Sequence, residues 1–228
     1  LECSTMSEES LGLPFDIHGG GMDLTFPHHE NEIAQSCGAH GEDKNPKRFV
    51  HYWIHNAMLN IGGEKMSKSL GNIFYIRDYL KKHDGEVLRL ALLSGHYRQS
   101  INWTNDTIDQ AKNILDKFYR ILNKVSDIKI DEEKIKVCPE KVLSALSNDL
   151  NTSEALAELN EIAKKLSISK TKEDKIKYKT YLLAASNTMG ILQKSPKKWL
   201  GIGQRKNSID NDLIDSIISK RNEARNNK

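Results

Sequence analysis

Cys3, His28 and Glu32 offer a thiolate, an imidazole and a carboxylate, the donor types that zinc takes most readily. His28 and Glu32 stand four residues apart, so a helix would project both from one face. Three donors from two segments, with a fourth position open, describe a catalytic zinc. A histidine hydrogen-bonded at a helix start is the alternative, and the spacing alone leaves both open. Asp23, in Gly21-Met22-Asp23, falls between a strand candidate and a helix candidate. A carboxylate there can accept hydrogen bonds from ribose hydroxyls, while the glycines let a nucleotide approach the backbone. A Gly-rich turn capped by Asp23 is the other reading. The most specific string is Gly63-Glu64-Lys65-Met66-Ser67-Lys68-Ser69-Leu70-Gly71-Asn72, a Gly-bracketed loop carrying two lysines and two serines. Ammonium groups brought over a triphosphate neutralise the charge that develops on a departing pyrophosphate.

The elements that must position these groups change character along the chain. Residues 15–18 read as a short strand running into Gly19-Gly20-Gly21, and Pro27 suits the first turn of a helix that would carry His28, His29, Glu30 and Glu32. The chain start, around Leu1, reads as the end of a strand. Residues 49–54 alternate apolar and polar and predict a second strand, with a third at 58–61. Helices are expected near 77–82 and 85–94. Beyond this the pattern is wholly helical. Ile108, Ala111, Leu115, Phe118, Leu122 and Val125 recur at spacings of three and four, one apolar stripe. Further helices are predicted near 140–147, 153–166, 172–189 and 210–224, with Thr152 or Ser153 capping the second of these. Short polar loops between them suit a bundle of antiparallel helices, and the Lys-rich stretch 170–179 reads as a solvated helix face. The expected fold class is therefore α/β then all-α.

Composition follows the same division. All eight histidines and 11 of the 14 glycines precede Asn105. Residues 1–104 hold 10 Lys/Arg against 13 Asp/Glu, whereas 105–228 hold 24 against 18, within a net charge of +3. A slightly acidic, site-bearing region thus precedes a basic helical one. Cys3, Cys37 and Cys138 are odd in number and far apart, which argues against a disulfide framework and for a reducing cytosol. No apolar run is long enough for a membrane span. The start on Leu1 and the unfinished helical pattern at the end read as a piece of a longer protein.

The motifs together resemble one family. Leu1-Glu2-Cys3-Ser4, the run from Phe15 through Gly21, Asp23-Leu24-Thr25-Phe26-Pro27-His28-His29-Glu30-Asn31-Glu32, Trp53-Ile54-His55-Asn56, Leu93-Ser94-Gly95-His96-Tyr97-Arg98 and Asn148-Asp149-Leu150-Asn151-Thr152 are similar to cysteinyl-tRNA synthetases. Lys65-Met66-Ser67-Lys68-Ser69 matches the signature of class I aminoacyl-tRNA synthetases without a substitution. The resemblance is dense to about Leu122 and thinner beyond it.

This resemblance implies the C-terminal half of a Rossmann-like catalytic domain over residues 1–104, followed by a helical tRNA-binding region over 105–228. It implies one zinc held by Cys3, His28, Glu32 and a further cysteine that this sequence does not contain. Neither Cys37 nor Cys138 sits in a matching motif. His18 would line the pocket for the substrate cysteine, and Gly21 and Asp23 would hold ATP at its ribose. Lys65 and Lys68 would act on the phosphates, with Mg²⁺ expected there. The implied reaction is ATP-dependent cysteine–tRNA ligation, with L-cysteine, ATP and tRNA-Cys as partners, in a cytoplasmic monomer without membrane contact. The signature His-Ile-Gly-His is nowhere in the sequence, so the chain alone is expected not to form the adenylate. Two other functions share part of the pattern. A mycothiol-type cysteine ligase shares the zinc and lysine-loop motifs, but the long basic helical region opposes it. A non-catalytic tRNA-binding module has only the basic half in its favour. In that half, Trp199 or Tyr181 is expected either to stack an unpaired base or to pack into the core.

Overall fold

The computed structural model describes residues 1–40, 49–61, 63–65, 75–202, 216–221 and 223. Helix α1 (Glu2–Leu11) leads through Pro14 into strand β1 (Phe15–Gly21). A 3₁₀ turn (Met22–Leu24) and a π-type turn (Thr25–His29) follow, then α2 (Glu30–Ala39). Strand β2 (Val50–Asn56) pairs with β1 in parallel, from Phe15 opposite Val50 to Gly21 opposite Asn56. A parallel pair needs a crossover, and α2 lies in it. Phe15, Phe49 and Val50 form the buried cluster of this unit, with Leu13, Ile33 and Trp53 packed against them.

A second sheet has the order β4-β3-β5, built from β3 (Leu59–Ile61), β4 (Glu64–Lys65) and β5 (Ile101–Trp103). Between β4 and β5 come α3 (Ile76–Tyr79) and α4 (Gly85–Leu93), the latter capped by Asp84, whose side chain accepts from the Glu86 amide. The helical region holds α5 (Asn105–Lys124), α6 (Glu140–Ser147), α7 (Thr152–Ile168), α8 (Lys172–Met189) and the short α9 (Pro196–Trp199). Residues 216–221 are helical, inside the expected 210–224 helix, the rest of which lies largely outside the described residues.

One large core joins α4 to the bundle. Val87, Leu90 and Ala91 of α4 pack with Ile108, Ala111, Leu115, Phe118 and Leu122, the whole predicted stripe of α5 up to its end at Val125. Burying each Val, Leu, Ile or Phe among them stabilises by about 1.5–3 kcal/mol, and each alanine by less. The arrangement is α/β followed by all-α.

Three expectations are corrected. The chain start is helical, not the end of a strand: Glu2–Leu11 is mostly exposed and lies against α2, tied by the Ser4 hydroxyl donating to Gln35 Oε1 at 2.9 Å. The cap of α7 is Asn151, which accepts from the Glu154 amide at 3.1 Å, whereas the hydroxyls of Thr152 and Ser153 donate to carbonyls of another segment. Lys179 is half-buried rather than part of a solvated face. Its ammonium donates to the carbonyls of Val125 and Ile128 at 2.9 and 2.6 Å, closing the end of α5, and burial lowers its pKa.

Candidate metal and nucleotide site

In open α/β sheets ligands bind beyond the C-terminal ends of parallel strands. Here those ends are Gly21 and Asn56, side by side. Strand alternation puts His18 and Gly20 on one face of β1, and Trp53 and His55 on the matching face of β2, with His18 directly opposite Trp53. The result is a nest of rings. Trp53 stacks on His55 at an interplanar angle of 4°, and lies 4.9 and 5.0 Å from His18 and His29 by ring centroid. His29 Nδ1 and His55 Nε2 share a hydrogen bond of 2.7 Å. Burial lowers the pKa of His29, and the neighbouring His18 imidazole adds to the effect, so His29 favours its neutral form.

Gly20 makes this packing feasible. A β-carbon there would sit 3.0 Å from both His29 Cε1 and Leu24 Cδ1, and one on Gly21 would meet Asp23 Oδ1 at 2.5 Å. A side chain on Gly20 would thus press on His29 and Leu24, whereas one on Gly21 would require the Asp23 carboxylate to swing aside.

Glu32 is the centre of the site. It is 3 % exposed, on the first turn of α2. His18 Nε2 lies 3.0 Å from its Oε2 and His28 Nε2 lies 3.0 Å from its Oε1. Neither approach is aligned as a hydrogen bond, so both oxygens are buried without one. A buried carboxylate in that state is costly, and a cation between it and its neighbours would satisfy it. Two donor sets surround it, each with all ligand atoms within 4.8 Å of one another: Cys3, His28 and Glu32; and His18, His29 and Glu32. The first contains a thiolate donor and is the more open, with Cys3 and His28 exposed. That combination, with room for further ligands, fits zinc by donor type and spacing.

Of the residues singled out in the sequence, the structure thus brings Cys3, His28, Glu32 and His18 together. Gly21 and Asp23 occupy the turn at the end of β1. Lys65 lies on β4, its backbone opposite Asn60 of β3, and the chain leading into β3 approaches the glycine turn, with Met58 Cε 3.7 Å from a β-carbon built on Gly21. Lys68 and the remainder of its loop, residues 66–74, lie outside the described residues. His29 and His55 were missed as site residues. The spacing of Trp53 and His55 on one strand face was the available signal. Trp199 stacks on the buried Tyr119 at 4.5 Å, which is core packing, while Tyr181 is 40 % exposed beside Tyr178 and Lys177.

Comparison with known proteins gives the class first. Residues 1–113 match the family model of the tRNA synthetases class I (C) catalytic domain, and residues 141–193 match the DALR domain. Two solved structures share the fold: a leucyl-tRNA synthetase ternary complex from Agrobacterium radiobacter K84 and the Mycobacterium tuberculosis methionyl-tRNA synthetase in complex with methionyl-adenylate. The first has a TM-score of 0.56 and 19 % identity, covering 78 % of this chain and 25 % of that one. The second has a TM-score of 0.51 and 21 % identity, covering 82 % and 44 %. Sequence relatives then narrow the class. The cysteine–tRNA ligase of Paramagnetospirillum magneticum is 46 % identical over 226 residues, 99 % of this chain and 48 % of that protein. Those of Hyphomonas neptunium and Pelagibacter ubique are 45 % and 44 % identical over 228 residues, each match covering 47 % of the relative and 99 % or more of this chain. The chain belongs to the cysteinyl-tRNA synthetase family of the class I aminoacyl-tRNA synthetases, and it spans about half the length of the curated relatives it matches. Among the described residues, no helix is long and apolar enough to cross a membrane.

Proposed function

We propose that the protein carrying this chain is a cysteine–tRNA ligase, which activates L-cysteine with ATP and transfers it to the 3′ end of tRNA-Cys. The observation that carries the reading is the convergence of a thiol, an imidazole and an orphaned buried carboxylate beside the glycine turn. Cys3, His28 and Glu32 would hold zinc, one per chain. When bound, zinc would take the thiolate of the substrate cysteine and leave a serine hydroxyl unrecognised, so the ion itself would select the amino acid. His18, wedged between Glu32 and Trp53, would wall the amino-acid pocket. Gly21 allows close approach to the backbone and Asp23 accepts from the ribose hydroxyls.

In the first step a carboxylate oxygen of cysteine attacks the α-phosphorus of Mg²⁺-bound ATP, and the bond to the bridging oxygen breaks with loss of pyrophosphate. A ribose hydroxyl at the tRNA 3′ end then attacks the acyl carbon, releasing AMP. Neither step uses a protein nucleophile, so positioning and charge stabilisation do the catalytic work. Lys65 and Lys68 supply cationic charge to the phosphates. Residues 1–104 serve as the catalytic part and the basic residues 105–228 as the tRNA-binding part, with salt-dependent phosphate contacts, in a cytoplasmic monomer.

Cysteine-dependent AMP release by the full-length protein tests this. Stimulation by tRNA-Cys and none by an amino sugar is expected; stimulation by the amino sugar alone overturns it. The isolated chain should show no ATP–pyrophosphate exchange.

A further inference from the structure

Two runs that the reaction does not use, residues 94–98 and 149–153, meet although they fall in different family domains. The Asp149 carboxylate accepts from Tyr97 Oη at 2.5 Å and from Arg98 Nε at 2.7 Å, with Arg98 Nη2 at 3.3 Å. Arg98 Nε also donates to Tyr97 Oη at 3.0 Å, and His96 stacks on the Tyr97 ring. Alongside, Thr152 Oγ1 and Ser153 Oγ donate to the carbonyls of Gly95 and Ser94, each at 3.2 Å.

The backbone that presents Asp149 is strained. Asp149 and Leu150 both have φ of 53°, a left-handed region that leucine rarely adopts. Leu150 is 51 % exposed, so burial does not account for its conformation. Strained residues persist where the surrounding structure holds them to a purpose. What the turn achieves is to aim one carboxylate at two side chains of the 94–98 run.

That run leads to the pocket. The Tyr97 carbonyl accepts from the Ala57 amide at 2.8 Å. Ala57 follows Asn56, which pairs with Gly21 at the end of the parallel sheet. We propose that Asp149 is a positioning residue: by holding Tyr97 and Arg98 it fixes, through the Tyr97–Ala57 hydrogen bond, the end of β2 against the glycine turn, so that the seating of the DALR helices sets the nucleotide end of the pocket. Only the identity of the pocket's ligand rests on the proposed function.

The test uses this chain, labelled with 5-fluorotryptophan, whose three reporters are Trp53, Trp103 and Trp199. Asp149→Asn removes the charge and tolerates the left-handed backbone, and Tyr97→Phe breaks the same clasp without touching the turn. In both variants the Ala57 amide should exchange with solvent about tenfold faster. The fluorine signal of Trp53, on β2, should move while that of Trp199 stays. Leu150→Gly, which relaxes the turn and leaves the clasp, should match the parent in both readouts. Unchanged Ala57 exchange and an unmoved Trp53 signal in the folded variants overturn the proposal, as does loss of protection confined to residues 148–153. None of these readouts needs zinc, cysteine or tRNA, so they remain decisive if the ligase reading fails.

Discussion

Removing the Glu86 carboxylate should unlock the junction between α4 and the end of the bundle. Glu86 lies in the first turn of α4, 8 % exposed. It accepts from Tyr119 Oη at 2.8 and 3.1 Å, and from the amides of Leu192 and Gln193 at 3.0 Å each. Tyr119 Oη in turn accepts from the Lys194 amide at 3.1 Å, and Lys194 pairs with Asp84. One buried anion thus satisfies three donors. Hydrogen bonds to a charged group contribute about 1.5–3 kcal/mol each, offset in part by the desolvation of the carboxylate. Breaking such a buried set from one side costs about 3–5 kcal/mol. For Glu86→Ala, at about 2–4 °C per kcal/mol in a chain of this size, calorimetry should find the melting temperature lowered by roughly 6–20 °C. Glu86→Gln keeps one acceptor oxygen but turns an amide N–H towards a backbone N–H, and should cost about 1–3 kcal/mol. Tyr119→Phe should destabilise the parent and cost less in Glu86→Ala, where only its bond from the Lys194 amide is left to lose. A loss below about 1 kcal/mol for Glu86→Ala, or additive losses in the pair, would refute the reasoning.

Three further outcomes follow from the same geometry. Gly20→Ala places a β-carbon against His29 and Leu24 and should destabilise by about 1–3 kcal/mol in urea unfolding, whereas Gly38→Ala, with open space around it, should not. Lys179→Met takes the ammonium donor from the Ile128 carbonyl and from the Val125 carbonyl, which keeps the Ile128 amide, and should cost about 1–3 kcal/mol in thermal melts. The Tyr119 phenol is raised above its ordinary 10.0 by burial, with the Glu86 carboxylate raising it further against the Lys194 amide. The folded state therefore keeps a proton that the unfolded state releases from about pH 10 upward. Stability from this group is complete below pH 10 and lost as pH rises beyond it, so melting curves across that range should flatten in Tyr119→Phe.

Helical periodicity was legible where a helix faces one core. The stripe from Ile108 to Leu122 is buried, and α6 and α8 keep the predicted bounds, α8 capped by Thr171, whose side chain accepts from the Asp174 amide, and ending at Gly190 in the left-handed conformation. The His28–Glu32 pairing was readable because four residues is a local distance. Short and weakly patterned elements were not: β5 is three residues long, and α1 exposes most of its surface. The ring nest of His18, His29, Trp53 and His55 required strand register across a crossover. The contacts of Glu86 with Leu192 and Gln193 span more than 100 positions of sequence, a distance no periodicity encodes.

Selection of cysteine by the proposed site depends on one thiol-seeking ion binding where Cys3, His28 and Glu32 converge. Cobalt(II) titration of the purified chain, followed by its thiolate charge-transfer absorption and by metal analysis, reads this directly. One ion per chain is expected, with the thiolate band lost in Cys3→Ala and binding weakened in Glu32→Gln. A parent chain that takes up no ion, or a band that survives Cys3→Ala, contradicts it.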